Sequence, residues 1–257
     1  MRYFLRFSYD GTAFHGSQRQ PNGITVQQTM EQALSMLFRQ EIALTFAGRT
    51  DAGVHAREMY AHCDLPDDQN AQQLILNLKF KLNGILPDSI AIYDILPVIE
   101  DAHARFAATQ RTYEYHIVDH KDPFLCKLAT RVKPGLDFQA MNQAAQLLIG
   151  KKDFASFCRT NTDVKTTICD LRYAQWQVLE NGHAVFTIAA DRFLRNMVRA
   201  VVGTLFLVGR GKLSAEEFAQ VIAKTNRSAA GESAPAEGLY LTRIDYPCEL
   251  FLDKNQE

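Results

Sequence analysis

Apolar and polar residues alternate over residues 2–9, with Tyr3, Leu5, Phe7 and Tyr9 on one face, a period of two that predicts a strand ended by Asp10-Gly11. The run Thr25-Val26-Gln27-Gln28 is a capping-box sequence, and Met30, Ala33, Leu34 and Leu37 follow at helical spacing. A short strand is expected over residues 42–46. Met59, Ala61, Cys63 and Leu65 alternate again. A helix follows over residues 68–82, stopped by Gly84 and Pro87, and residues 90–96 make another strand.

The second half repeats this order. Residues 112–118 read as a strand, and Phe138, Met141, Ala145 and Leu148 mark a helix closed by Gly150. Two strands, 171–179 and 184–190, flank Asn181-Gly182, a strong short hairpin signal. A helix is expected over residues 193–208, ended by Gly209. Ser214-Ala215-Glu216-Glu217 opens another, and residues 239–246 form the last strand.

Each half therefore reads β-α-β-β-α-β, with an extra helix in the second. The fold class is α+β: two ferredoxin-like units side by side with a cleft between them. The expected division is 1–104 and 105–257, and a cleft between two units is a common place for a site. Residues 225–237, rich in Ser, Ala and Gly, read as a mobile loop.

Composition adds limits. The chain has 257 residues, 47% hydrophobic and 22% charged, enough for one large or two small cores. No apolar run is long enough for a bilayer, so no membrane partner is expected, and the N-terminus reads as a strand, not a signal peptide. Five cysteines are scattered without a CxxC pair, which suggests reduced thiols in a cytoplasm and argues against a zinc site. The formal net charge is -1, so a nucleic-acid surface must come from local clustering.

The stretch AGRTDAGVHA, residues 47–56, fits neither periodicity. Gly48 and Gly53 bracket Arg49 and Asp51, so the backbone can turn sharply and present a carboxylate. By itself this reads as a tight connection with a solvated Asp. The helix sequence FLRNMVRAVVGTLFLV shifts the balance, because Arg199 lies among apolar residues and a buried Arg needs a carboxylate. Asp51 is one candidate; Asp191 and Glu216 are equal competitors on spacing. Pairing would keep Asp51 ionised and oriented, as a nucleophile or general base requires. Arg192, Arg195 and Arg199 form one stripe if the helix begins early enough. Arg105, Arg111 and the aromatics Tyr113 and Tyr115, two apart on one strand face, suit RNA, although core packing is expected for at least one tyrosine. Asp51 and His55 lack a third metal ligand, and no P-loop, dinucleotide fingerprint or GxSxG elbow is present, so neither metal nor cofactor is expected.

These residues resemble the tRNA pseudouridine synthase A family nearly end to end. The resemblance rests on Tyr9-Asp10-Gly11, Gln18-Arg19-Gln20, Gly48-Arg49-Thr50-Asp51-Ala52-Gly53-Val54-His55, His103-Ala104-Arg105-Phe106 and Arg111-Thr112-Tyr113-Glu114-Tyr115. It continues through Phe193-Leu194, Met197-Val198-Arg199 and Ala236-Glu237-Gly238-Leu239-Tyr240-Leu241. It implies a cofactor-independent isomerase that converts uridine to pseudouridine at tRNA positions 38, 39 and 40, in the anticodon stem-loop. Asp51 would be the nucleophile, Tyr113 would stack on the flipped base, and Arg199 would pair with Asp51. Arg49 would hold the base out of the stem. His103, Arg105 and Phe106, Arg111, the loop from Asn161 to Lys165, and Leu239 would serve tRNA binding, across a homodimer. Ser17 departs from the family's usual Trp, and Arg57-Glu58-Met59 is more charged than usual. A catalytically inactive tRNA-binding or tRNA-folding module shares the binding features, and a metal-dependent nuclease using Asp51 and His55 is a third reading.

Overall fold

The structure is a computed structural model and describes residues 1–159 and 165–252. The chain forms two compact units, Met1–Thr109 with Leu241–Glu257, and Gln110–Tyr240. The sequence expectation divides the chain at 104/105 and keeps its end with the second unit. The described residues carry ten strands and six α-helices.

In the first unit, β1 (Arg2–Tyr9) is central and β2 is the pair Thr45–Phe46. β1 runs antiparallel to both β3 (His55–Asp64) and β4 (Ile90–Pro97), so Phe7 faces Met59 on one side and Ile92 on the other. β2 joins β3 at Phe46↔Ala61. Phe4, Leu5 and Phe7 are wholly buried, so β1 is covered on both faces despite its alternating sequence. Each large side chain removed from water contributes about 1.5–3 kcal/mol. Thr25 caps α1 (Val26–Phe38), its Oγ1 accepting from the Gln28 N–H. The helix buries Val26, Met30, Ala33 and Leu34.

The helix expected over 68–82 is two helices, α2 (Gln69–Leu76) and α3 (Leu78–Ile85). Asn77 breaks them at φ -112°, ψ 9°, and its N–H turns back to the Leu74 carbonyl. Gly84 lies inside α3 and does not stop it; the leucines Leu78 and Leu82, fully packed, hold the turn against Gly's conformational freedom.

In the second unit the sheet order is β5 (Gln110–Val118), β9 (His183–Ala190), β8 (Ile168–Val178), β7 (Gly150–Asp153). β6 (Thr130–Arg131) pairs parallel to β5. The β8–β9 connection has Asn181 at φ 57° and Gly182 at φ 67°, the two left-handed residues that a tight hairpin turn requires. Helices α4 (Phe138–Gln146), α5 (Met197–Gly209) and α6 (Ala215–Ala223) follow the expected order, and Ser214 and Glu217 form a complete capping box. The last strand, β10 (Leu239–Asp245), begins in this unit and continues into the first.

Two expectations are corrected here. α5 starts at Met197, not 193, because Asn196 sits at φ 66°, outside the helical region. Arg192 and Arg195 are therefore off the helix, and the three-arginine stripe does not form. Residues 226–236 are tied to α5 and β5 through backbone and side-chain hydrogen bonds, contrary to the loose loop their composition suggests.

Two asparagines hold the helices to buried strand positions that no neighbouring strand pairs on that side. Asn83 of α3 donates Nδ2–H to the Ile92 carbonyl at 2.9 Å and accepts the Ile92 N–H at 2.8 Å. Asn142 of α4 does the same to Trp176 of β8, at 3.0 and 2.7 Å. The primary amide mimics a neighbouring strand and satisfies an edge that would otherwise invite another chain. Among the described residues no helix is long and apolar enough to cross a membrane. Replacing Asn142 with Ala removes both bonds and leaves the Trp176 edge unpaired, at a cost of about 1–3 kcal/mol. Urea unfolding should show a lower midpoint with an unchanged slope; an unchanged midpoint would mean that the amide clamp contributes nothing.

Candidate active site

In the first unit, the loop from 47 to 54 is held through Thr50. The Thr50 N–H donates to Ser17 Oγ at 2.9 Å, and the Thr50 carbonyl accepts the Ser17 N–H at 3.2 Å. Thr50 Oγ1 and the Tyr9 hydroxyl share a buried hydrogen bond of 2.8 Å. Ser17 is wholly buried and Thr50 nearly so. The close approach requires Gly16: at φ +92°, a Cβ there would lie 2.8 Å from the Thr50 carbonyl oxygen. Gly11 is under the same constraint, because its Cβ would meet the Val54 carbonyl at 2.0 Å.

Asp51 follows this clamped residue. Its carbonyl accepts the Val54 N–H at 3.2 Å, and Gly53 takes φ +78° to complete the turn. Asp51 is half-buried and Arg49 exposed. Behind the loop, His55 is buried, with Nδ1 3.1 Å from Asp10 Oδ1 and accepting the Gly11 N–H at 3.1 Å. Burial alone would raise the Asp10 carboxyl, but hydrogen bonds from Thr12 outweigh it and help hold it below the usual carboxylate range. His55 thus serves the loop's framework. Among the described residues, no group of three or more His, Cys, Asp or Glu is placed to hold a metal ion.

The segment from His103 to Phe106 forms a compact turn. His103 Nδ1 accepts the N–H of Arg105 at 3.1 Å and of Phe106 at 3.4 Å. Phe106 is 76% exposed, yet its ring is 4.2 Å from the His103 ring, and the Arg105 guanidinium lies 5.9 Å over it. An exposed aromatic face beside a cation is a platform for an unpaired base. Beneath, His62 Nδ1 accepts the Ala104 N–H at 3.1 Å.

In the second unit, Tyr113 of β5 is half-buried and packs edge-on against Phe193 at 5.1 Å and 86°. Tyr115, two residues on, is wholly buried; its hydroxyl donates to the Pro235 carbonyl and shares a hydrogen bond with Thr130. Core packing thus takes one tyrosine, as its spacing suggests. Arg111 Nη1 donates to the Asp191 carbonyl at 2.8 Å. Arg199 is half-buried in the first turn of α5, and its Nε–H donates to the Ala234 carbonyl at 2.7 Å. Of the two competitors for Arg199, Asp191 uses Oδ1 to accept the N–H groups of Asp170 and Arg192, and Glu216 lies in the first turn of α6. Lys165 is exposed, Leu239 is buried at the start of β10, and Asn161 lies outside the described residues.

Sequence reasoning missed Ser17 and Tyr9 as supports of the carboxylate loop, and Thr204 and Arg227 as supports of the segment behind Arg199. A small buried polar residue has the same letter as an exposed one. Gly203, a glycine inside a largely apolar helix, is a signal that could have revealed the second set.

The chain is similar to known proteins over nearly its whole length. A family model described as tRNA pseudouridine synthase matches residues 144–247. Over 252 residues the chain is 52% identical to tRNA pseudouridine synthase A of Porphyromonas gingivalis, covering 98% of this chain and 99% of that one. Identity is 48% over 250 residues to the enzyme of that name from Bacteroides fragilis, covering 97% and 98%, and 38% over 256 residues to that of Staphylococcus saprophyticus, covering 98% and 94%. The chain belongs to the tRNA pseudouridine synthase A family.

Burial, with the charges of His103 and Arg2 behind it, pushes the His62 imidazole down to about 4. In the unfolded chain the same group takes up its proton near 6.5. Between those values the unfolded chain binds more protons, so stability should fall as pH falls through that window. Urea midpoints measured across pH 4–7 should decline less steeply in a His62→Gln variant. Parallel profiles would mean that His62 titrates as it does in the unfolded chain.

Proposed function

We propose that this protein isomerises uridine to pseudouridine at positions 38, 39 and 40 of the tRNA anticodon stem-loop. The chain acts as a homodimer in the cytoplasm, each subunit built of two ferredoxin-like units. Asp51 is the nucleophile, Arg199 gives it a guanidinium partner, and Tyr113 stacks on the extruded base. Arg49 holds the base out. His103, Arg105, Phe106, Arg111, Asn161 and Lys165 belong to the tRNA-binding surface; Leu239, which is buried, can serve tRNA binding only as support from beneath. The observation that carries the reading is the GRTDAGVH run set on a buried main-chain clamp, in a chain 52% identical over nearly its whole length to a tRNA pseudouridine synthase A.

The chemistry suits these groups. The bond from C1′ to N1 breaks, the uracil turns, and a bond forms from C1′ to C5. The C5 proton leaves to water and N1 takes one up, so atoms balance with no oxidant or group donor. A carboxylate can act on the sugar or the base, and an aromatic face with nearby cations offsets the cost of unstacking, roughly a few kcal/mol. Because the Arg199 Nε–H is given to Ala234, the fork Arg199 offers a carboxylate is its Nη1/Nη2 edge.

Asp51→Asn should bind tRNA with unchanged affinity and slow tritium release from C5-labelled uridine roughly ten-thousandfold or more. Release at the wild-type rate would remove Asp51 from the chemistry. Binding without release in the wild-type protein would instead identify an inactive tRNA-binding module.

A further inference from the structure

Residues 226–236 cross α5 as a strap of backbone. At the crossing, Gly203 has no side chain: a Cβ there would lie 1.8 Å from the Glu232 carbonyl oxygen. At the next residue, Thr204 is wholly buried; its hydroxyl donates to the Ala200 carbonyl and accepts the Gly231 N–H at 2.9 Å. Arg199 and Ala234 bind reciprocally. Arg199 Nε donates to the Ala234 carbonyl at 2.7 Å, and the Ala234 N–H donates to the Arg199 carbonyl at 2.9 Å.

A guanidinium is planar, so fixing the direction of its Nε–H also fixes the plane and aim of both Nη groups. The strap therefore determines where Arg199 points. Arg227 stiffens the strap from within. Its Nη1 donates to the Gly231 carbonyl at 3.0 Å and its Nη2 to Ser233 Oγ at 3.1 Å. Ser233 Oγ is also the acceptor for Asn196 Nδ2, from the residue that starts α5. Arg227 is half-buried, and its fork is turned inward onto carbonyls.

We propose that Arg227 and Ser233 are positioning residues for the isomerisation: they hold the strap whose Ala234 carbonyl aims the Arg199 guanidinium. The inference rests on the catalytic reading of Arg199. Lys at 227 keeps the charge but cannot supply the fork, which separates an internal staple from a phosphate contact.

The test compares Arg227→Lys, Ser233→Ala, Arg199→Lys and the double variant Arg199→Lys/Arg227→Lys. Single-turnover tritium release from C5-labelled tRNA at saturating protein and tRNA affinity are both measured. Arg227→Lys and Ser233→Ala should each release tritium about tenfold more slowly, with tRNA affinity within about twofold of wild type. The double variant should be no slower than Arg199→Lys alone, because two residues acting through one guanidinium are not additive. Wild-type rates in both single variants, or losses that multiply in the double variant, overturn the proposal. Weaker tRNA binding with a normal saturated rate makes Arg227 a phosphate contact and overturns it as well. If Arg199→Lys itself releases tritium at the wild-type rate, the catalytic reading of Arg199 fails, and the strap inference with it. If Arg199→Lys is slow while the strap variants are fast, only the strap inference fails.

Discussion

The hydrogen-bonded clamp on Thr50 is the constraint on which the carboxylate loop depends. Three contacts fix one residue: its N–H and carbonyl both meet Ser17, and its hydroxyl meets Tyr9. All are shielded from water, where an unmade hydrogen bond costs the full desolvation of its polar groups, about 1–3 kcal/mol each. A loop with two glycines and little apolar surface would otherwise sample many conformations. Holding Thr50 fixes the backbone from which Asp51 starts. Gly16 and Gly11 permit it, because side chains there would collide with the loop's carbonyl oxygens.

The second unit uses the same device with different parts. Arg199 sits in the first turn of α5, where an N-terminal left-handed Asn196 sets the start of the helix. Its Nε–H donates to the Ala234 carbonyl of the strap across α5, and Asp51 follows directly on the clamped Thr50. In both places the backbone beside the side chain is held by hydrogen bonds. This arrangement makes small residues, Gly16, Ser17, Gly203 and Ser233, matter beyond their size.

Much of this fold was legible in the sequence. β1, the Asn181-Gly182 turn and the Ser214 capping box follow from local chemistry: period two, two left-handed residues, and a reciprocal cap. The misses have tertiary causes. Asn77 splits a periodic run that reads as one helix, and Asn196 delays α5 although the apolar pattern continues through Phe193 and Leu194. The segment after Thr225 has the composition of a loose loop, and its order comes from partners on α5 and β5 that no local window contains. The site was legible where chemistry is unusual. An Arg and Asp between glycines stands out in any sequence, whereas Ser17 becomes visible only once the fold has brought it to Thr50, 33 positions away.

The central claim is that the buried Ser17 hydroxyl, through Thr50, holds Asp51 in its working position. The most direct measurement is single-turnover tritium release from C5-labelled tRNA by Ser17→Ala, alongside its tRNA affinity. The account predicts release about tenfold slower at unchanged affinity, since small misplacements of a reacting group are costly. A folded Ser17→Ala protein that releases tritium at the wild-type rate would contradict it.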